Sequence, residues 1–273
     1  MNVRGLNLGC GHRFHPDWEN VDFFPSASSV RAHDLRKGIP YPDRTFDAVY
    51  HSHVLEHFPK QIAPVFLREC YRVLKPGGVI RVAVPDLEQI VRLYLKVLEN
   101  AVSGGAAARA QYDWILLELY DQTVREYPGG EMLEVARKAS AEQREFIRQR
   151  LGGEMDRMLK ANLGDQEQSQ TKHATSFKGV IGRLRRFALL LLDGPEAMKS
   201  YELGRFRHSG EVHRWMYDQY SLGRALEQVG FKSPRRLGAA ESSIPGWAGF
   251  YLDTEPGGQS YKPDSLYMEA DRS

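Results

Sequence analysis

The sequence has few cysteines, no long apolar run and almost no net charge. Its 273 residues include two cysteines, Cys10 and Cys70, too few for a disulfide framework, so we expect a reduced, cytoplasmic protein. No apolar stretch approaches the roughly 20 residues of a membrane span, and no basic-then-apolar leader opens the sequence, so we expect no signal peptide. A formal net charge of +2 gives no support for a nucleic-acid partner.

A glycine turn near the start of the sequence is its most informative local feature. The short apolar run 6–8 leads into Gly9-Cys10-Gly11, and a second apolar-leaning run ends at Asp22. An open α/β sheet builds a nucleoside site from a strand, a glycine turn and an acid at a strand end. Glycine lets backbone N–H groups approach a ligand, and the acid can accept hydrogen bonds from ribose hydroxyls. Taken alone, the pattern fits a simple strand-to-loop turn equally well.

Strand and helix patterns alternate in short units up to residue 86. Strands are predicted at 3–8, 20–23, 30–33, 46–50 and 79–84, with a helix beginning at 54–58 and another over 64–74. This alternation predicts a parallel sheet. The pattern then becomes almost entirely helical, with helices predicted at 87–98, 112–127 and 132–159, and a polar stretch at 164–173 that we expect to be disordered. The sheet pattern returns with a helix at 221–229 and strands at 237–242 and 265–270.

Four motifs occur in a fixed order within the first 86 residues: Leu6-Asn7-Leu8-Gly9-Cys10-Gly11, Ile39-Pro40-Tyr41-Pro42-Asp43-Arg44-Thr45-Phe46-Asp47-Ala48-Val49, Val54-Leu55-Glu56-His57-Phe58 and Arg72-Val73-Leu74-Lys75-Pro76-Gly77-Gly78. This order resembles the class I S-adenosylmethionine-dependent methyltransferases, above all the methyltransferase type 11 group. The short first helix, the Trp18-x-Asn20-x-Asp22 pattern and the segment 213–217 resemble a bacterial subgroup whose members often act in cell-surface polysaccharide or glycoconjugate pathways.

The resemblance implies an α/β fold with a Rossmann-like, seven-stranded, mostly parallel sheet whose last strand is antiparallel, and a large helical insertion after the fifth strand. The α/β domain would comprise residues 1–86 and 216–273. The insertion, residues 87–215, would serve as a lid that recognises the methyl acceptor.

The resemblance also implies S-adenosylmethionine as cofactor and assigns its contacts. The loop Gly9, Cys10 and Gly11 would pass under the methionyl part and ribose, and Asp22 would bind the ribose hydroxyls, with Phe23 beside it. Asp34 and Leu35 would read the adenine, and Ser52 and His53 would lie beside the cofactor after their strand. The family usually has Asp where this sequence has Asn7, and a neutral amide cannot pair with the cofactor's amino group as a carboxylate would.

Methyl transfer from a sulfonium needs an acceptor placed in line and, for a hydroxyl, removal of a proton. His57 is the first candidate for general base or acceptor contact, with a purely orienting hydrogen bond as the alternative. His213 and Tyr217, four residues apart, would share an inward face. Asp86 at a strand end would touch the acceptor or cap the next helix. We expect no metal site, because no cysteine or carboxylate cluster with ligand spacing accompanies the histidines.

The predicted reaction is O-methylation of a sugar or glycoconjugate. The alternatives are a methyltransferase for a small-molecule or lipid-linked acceptor, and a catalytically inactive protein that binds S-adenosylmethionine. The run Arg183–Leu192, in which Arg185 and Arg186 precede leucines, would either contact a membrane surface peripherally or form a core helix of the insertion. The sequence leaves the oligomeric state open.

Overall fold

Seven strands form one sheet in the order β3-β2-β1-β4-β5-β7-β6. The computed structural model describes residues 3–160 and 177–273, without the side chains of 177–184 and 188. The strands are β1 (Gly5–Leu8), β2 (Trp18–Asp22), β3 (Val30–Ala32), β4 (Phe46–Ser52), β5 (Leu74–Pro85), β6 (Lys232–Leu237) and β7 (Ser265–Asp271). β1 to β5 pair in parallel, and β7 runs antiparallel to both β5 and β6. The predicted sheet, with its antiparallel last strand, is confirmed.

The helices fall into two sets by position in the chain. The sheet carries α1 (Ala63–Val73), α7 (Gln219–Val229) and the short α8 (Trp247–Phe250). Between β5 and α7 come α2 (Leu87–Ser103), α3 (Ala106–Val124), α4 (Gly130–Lys138), α5 (Ala141–Leu151) and α6 (Phe177–Arg207), which is kinked at Gly194. The helical insertion therefore begins directly after the fifth strand. None of the helices within the described ranges is long and apolar enough to cross a membrane.

Three apolar clusters hold the molecule together. The largest packs α1 and α7 against one face of the sheet; α1 contributes Phe66, Leu67, Cys70 and Val73, whose spacing places them on a single helix face. A smaller cluster around Trp18 and the loop that contains α8 covers the other face. The insertion has a separate core built on α2 to α5, with Ile90, Val97, Trp114, Ile115, Met132 and Ile147 among its buried residues.

The absence of a helix between β1 and β2 matches the short first helix predicted from the sequence. Residues 9–17 form turns, and Gly9 N–H donates to the Val21 carbonyl at 2.8 Å, so the chain passes almost directly from the end of β1 to β2. As a result, Asp22 at the end of β2 lies next to the glycine turn in space.

Four sequence predictions about elements are wrong in detail. The sixth strand lies at Lys232–Leu237 and not at 237–242. The single helix predicted at 132–159 is broken twice: Ser140 accepts a hydrogen bond from Gln143 N–H and starts α5, and Gly152, at φ +57°, ends it. The turn at Leu55–His57 is a single 3-10 turn where a longer helix was predicted. The segment 75–78, expected only to stop α1, belongs to β5. The polar stretch at 164–173 lies outside the described residues.

Candidate active site

The carboxyl ends of β1, β2 and β4, together with the turn after β3, meet at one edge of the sheet and form one wall of a cavity of about 780 Å³. In open α/β sheets, ligands bind at this edge, where the strand order reverses. The sheet contributes Gly9, Asp22, Phe23, Asp34, Leu35 and His53 to the lining, and the turn after β4 contributes His57. The opposite wall comes from the segment 207–214, which follows the last insertion helix.

Gly9 occupies a position that no other residue fits well. Its φ is +63°, and a Cβ built there would lie 2.4 Å from a methyl carbon of Val54. Gly11 also has a positive φ of +53°, but a Cβ there would meet nothing within 4 Å. The first glycine is therefore fixed by space and conformation, and the second by conformation alone.

Asp22 connects the end of β2 to the glycine turn. Its Oδ2 accepts the Gly11 N–H at 2.8 Å, and its Oδ1 accepts the Phe24 N–H at 2.8 Å. Each carboxylate oxygen has further acceptor capacity, and the residue lines the cavity. The geometry suits an acid that holds a ribose, because its carboxylate is already fixed by two backbone donors.

Asp34 also lines the cavity, with its carboxylate engaged locally. Arg36 donates to it from Nε at 2.8 Å and from Nη2 at 3.0 Å. These hydrogen bonds hold the pKa of Asp34 below its usual range. An adenine amino group at this position would share the carboxylate with Arg36, a neighbour that the sequence analysis did not consider.

Four of the predicted cofactor residues do not line the cavity: Asn7, Cys10, Gly11 and Ser52. The Asn7 amide is buried and donates to the Arg13 carbonyl at 2.9 Å and to Asn20 Oδ1 at 3.1 Å. It therefore braces β1 against β2 and points away from the cavity. Cys10 is also buried, and burial together with the charge of Asp22 raises the pKa of its thiol to about 12.

Three histidines surround the buried carboxylate of Glu56; His53 and His57 line the cavity, whereas Glu56 and His213 do not. His53 Nδ1 lies 3.2 Å from Glu56 Oε1, and His213 Nε2 lies 4.0 Å from the same oxygen. The rings of His57 and His213 meet edge to face, with 4.8 Å between centroids. The structure thus brings the predicted residues His53, His57 and His213 together, and adds Glu56 at their centre.

Burial sets the protonation of this cluster. Burial lowers the pKa of His57 and, more strongly, that of His213, so both imidazoles are neutral near pH 7. Burial opposes ionisation of Glu56, but the neighbouring His53 and the other histidines outweigh it and hold its pKa well below its usual range. His51, one strand position from Ser52, is buried against Phe66 outside the cavity lining, and burial lowers its pKa to about 4.

The chain returning from the insertion is tied directly to the turn that carries Glu56. The Glu56 carbonyl accepts N–H groups from Arg214 at 2.6 Å and Trp215 at 3.2 Å. The His213 N–H donates to the Gln122 carbonyl at 2.9 Å. These main-chain bonds fix His213 beside Glu56 and His57, although 156 residues separate His57 from His213 in the sequence.

Asp86 lies apart from the cavity lining. It is fully buried; one oxygen accepts the Gln89 N–H at 3.1 Å as the N-cap of α2, and the other accepts from Arg236 at 2.7 Å. Both oxygens therefore serve contacts within the fold. Of the two alternatives that the sequence left open for Asp86, this placement favours the N-cap over contact with the acceptor.

Several lining residues were not predicted, chiefly Arg36, Phe24, Ile62 and Glu211. Phe24 offered a signal, because it is the second of two aromatic residues that follow the strand-terminal Asp22; in the structure it is 75 % exposed. Ile62 and Glu211 had no local signal, since only the folded chain brings their segments to the cavity.

Comparisons with known proteins agree with this geometry. Residues 16–82 match the type 11 family model described as a methyltransferase domain. A demethylmenaquinone methyltransferase of Staphylococcus aureus is 29 % identical over 141 residues, 49 % of this chain and 54 % of the relative. A probable S-adenosylmethionine-dependent methyltransferase of Mycolicibacterium smegmatis is 42 % identical over 57 residues, 19 % of this chain and 21 % of the relative.

Among solved structures, a SAM-dependent methyltransferase from Archaeoglobus fulgidus aligns over 98 % of this chain and 86 % of its own, at 12 % identity and a TM-score of 0.38. The chain spans about half the length of the first curated relative.

Residues 16–82 match the type 11 methyltransferase model, and the sheet order and the glycine turn with its acid agree with the class I S-adenosylmethionine-dependent methyltransferases that the sequence resembles.

The residues present fit the cofactor of this class, S-adenosylmethionine. Gly9 leaves room at the cavity wall that a side chain would fill, and Asp22 presents a fixed carboxylate for the ribose hydroxyls. Phe23 and Leu35 give the adjoining wall apolar surface for the adenine.

Proposed function

We propose that the chain transfers the methyl group of S-adenosylmethionine to a hydroxyl group of a sugar-containing acceptor. One observation carries the proposal: Asp22 and Gly9, the cofactor-facing residues, line the same cavity as His53 and His57. A cofactor held by the first pair would share the cavity with histidines able to act on a hydroxyl proton.

The reaction is a direct displacement. The acceptor oxygen forms a bond to the methyl carbon while the carbon–sulfur bond breaks, and sulfur keeps the electron pair, giving S-adenosylhomocysteine. The hydroxyl proton must leave, and we assign its removal to the cluster of Glu56, His57 and His213. Neutral, buried imidazoles beside a carboxylate support that role.

The wall formed by the returning segment supports a polar acceptor. Arg207, His208, Glu211 and Arg214 line the cavity opposite the sheet. Arginine forks and a carboxylate suit sugar hydroxyls or a phosphate on the acceptor. Since this wall follows the insertion, we propose that residues 87–215 recognise the acceptor, while 1–86 and 216–273 bind the cofactor.

A small-molecule or lipid-linked acceptor is the second candidate, and a different part of the cavity favours it. Phe58, Pro59 and Ile62 give the lining an apolar side. On α6, Phe187 and Leu190 to Leu192 are exposed beside Arg185 and Arg186, which suits contact with an anionic membrane surface. The S. aureus relative named above is a demethylmenaquinone methyltransferase.

The test is release of S-adenosylhomocysteine by the purified full chain against pooled acceptors: free sugars and glycosides, quinols, and lipid-linked sugars in anionic vesicles. We expect turnover with a glycan pool. His57→Ala should lower that turnover by about 10²–10⁴-fold with cofactor binding retained. The matched control is His12→Ala, because His12 is exposed and does not line the cavity. Turnover only with quinols would move the assignment to the second candidate, and normal turnover of His57→Ala would remove the cluster from the reaction.

A further inference from the structure

Glu56 has an unusual environment for a buried carboxylate. Its side chain is fully buried, yet neither oxygen accepts a hydrogen bond of good geometry from the described residues. An ionised carboxylate buried without hydrogen bonds is costly unless a cation or charged partner compensates it. No lysine or arginine forms an ion pair with Glu56 among the described residues; its neighbours at ion-pair distance are His53 and His213.

The neighbouring histidines are oriented as metal ligands are. The donor atoms of Glu56, His57 and His213 all lie within 4.8 Å of one another. His57 Nδ1 lies 3.3 Å from the Val212 carbonyl oxygen, so Nδ1 carries the hydrogen and Nε2 keeps a free lone pair. A backbone carbonyl that fixes the tautomer of an imidazole in this way commonly accompanies metal-bound histidine.

The three residues are held in place by the backbone. Glu56 and His57 share the turn Leu55–His57, and His213 is fixed by its hydrogen bond to the Gln122 carbonyl. The bonds from Arg214 and Trp215 to the Glu56 carbonyl join the two segments. A ligand set held by main-chain bonds needs little rearrangement to bind an ion.

We propose that Glu56, His57 and His213 form a binding site for a divalent first-row transition-metal ion. Two imidazoles and one carboxylate are a donor set used by zinc and by non-haem iron, and they leave coordination positions open. His57 lines the cavity, so the proposed site adjoins it, while Glu56 and His213 are buried behind the lining. His53, 3.2 Å from Glu56, would orient the carboxylate from behind. The sequence analysis expected no metal because no cysteine or carboxylate cluster with ligand spacing accompanies the histidines; Glu56 and His57 meet His213 only in the folded chain.

The consequence for the reaction rests on the proposed function; binding of the ion does not. An ion at this site would bind the acceptor hydroxyl oxygen and lower its pKa, so that the proton passes to solvent and the oxygen attacks the methyl carbon. With the ion bound, this route would replace direct proton removal by the cluster: His57 would hold the ion and would not take the proton itself, because both roles use the same Nε2 lone pair.

The test is titration of the full chain, freed of metal with EDTA and dialysed, with Co²⁺ followed by visible absorption and with Zn²⁺ followed by calorimetry. We expect one ion per chain and ligand-field bands that show nitrogen and oxygen coordination. Glu56→Gln, His57→Gln and His213→Gln should each weaken binding about a hundredfold or more. His12→Gln, the exposed-histidine control, should bind as the unchanged protein does.

Absence of stoichiometric Co²⁺ and Zn²⁺ binding by the folded, unchanged protein would overturn the inference, as would equal affinity in the unchanged protein and all three variants. Thermal unfolding and S-adenosylhomocysteine binding check the fold of each variant. If one variant fails to fold, the metal affinities of the other two variants and of the unchanged protein still test the proposed site. Methyl transfer that proceeds at an unchanged rate in excess EDTA, with no ion bound, would reject a role for the ion in the reaction and leave the proposed function standing. Metal binding by a folded protein that does not bind the cofactor would support the metal site and contradict the proposed function.

Discussion

Gly9 shows how a single position links backbone conformation to the cofactor site. Its positive φ directs the chain from β1 into the turn. Because it has no side chain, Val54 can pack closely against its backbone. Asp22 then holds the turn through the Gly11 N–H. These two residues thereby fix the backbone of the glycine turn and the position of the Asp22 carboxylate at the cavity.

The double constraint on Gly9 predicts a measurable difference between two similar substitutions. Gly11→Ala should cost about 1 kcal/mol in free energy of unfolding, because only its backbone conformation is strained. Gly9→Ala should cost about 1–3 kcal/mol more, because its Cβ also meets Val54. In the Val54→Ala background this additional cost should largely disappear. Urea denaturation of the four variants measures the coupling. Equal costs for both alanines, with no coupling to Val54, would show that the close contact is absent.

At the residue scale, the sequence could predict what depends on near neighbours. The position of Gly9 and Asp22 at the sheet edge was predictable because the glycine turn and the strand-terminal acid are close in sequence and each follows a predicted strand. The direction of the Asn7 side chain could not be predicted, because it depends on hydrogen bonds to Asn20 and to the Arg13 carbonyl. The meeting of Glu56 with His213 was beyond local reasoning, because it requires the path of the whole insertion.

At the scale of elements, apolar periodicity predicted those whose faces are buried against the sheet. α1 and the parallel strands carry strong patterns and were predicted within a few residues. β6 was misplaced because Lys232–Leu237 is a polar edge strand containing Pro234, paired on one side only with β7. Proline and charge are tolerated at a sheet edge, so its sequence does not look like a strand. The breaks at Ser140 and Gly152 had signals, a cap and a glycine, that the helical pattern around them obscured.

The start of α2 offers a test of whether Asp86 is structural. Asp86→Ala removes the N-cap and the Arg236 contact and should lower the free energy of unfolding by about 2 kcal/mol. Asp86→Asn keeps a capping oxygen and should cost less. Turnover per folded molecule should stay near normal in both, since Asp86 does not line the cavity. Chemical denaturation and turnover at a temperature well below unfolding check this. A stable Asp86→Asn protein with turnover as low as that of His57→Ala would indicate a catalytic carboxylate.

At the scale of the whole molecule, the sheet and the insertion have separate apolar cores. The segment that returns from the insertion binds to the turn after β4 through the Glu56 carbonyl, and farther along Leu87 N–H donates to the Tyr217 carbonyl at 2.9 Å. The cavity lies where these parts meet. The sheet therefore supplies one wall of the cavity, and the segment 207–214 that follows the last insertion helix supplies the opposite wall.

The central claim is that this cavity binds S-adenosylmethionine, and calorimetry of the full chain with S-adenosylmethionine and S-adenosylhomocysteine tests it most directly. We expect one molecule bound per chain. Asp22→Ala should weaken binding about tenfold or more, because hydrogen bonds to a charged group are lost, whereas Asp17→Ala, an exposed carboxylate outside the cavity, should not. Absence of detectable binding of either compound by the folded, unchanged protein would contradict the account.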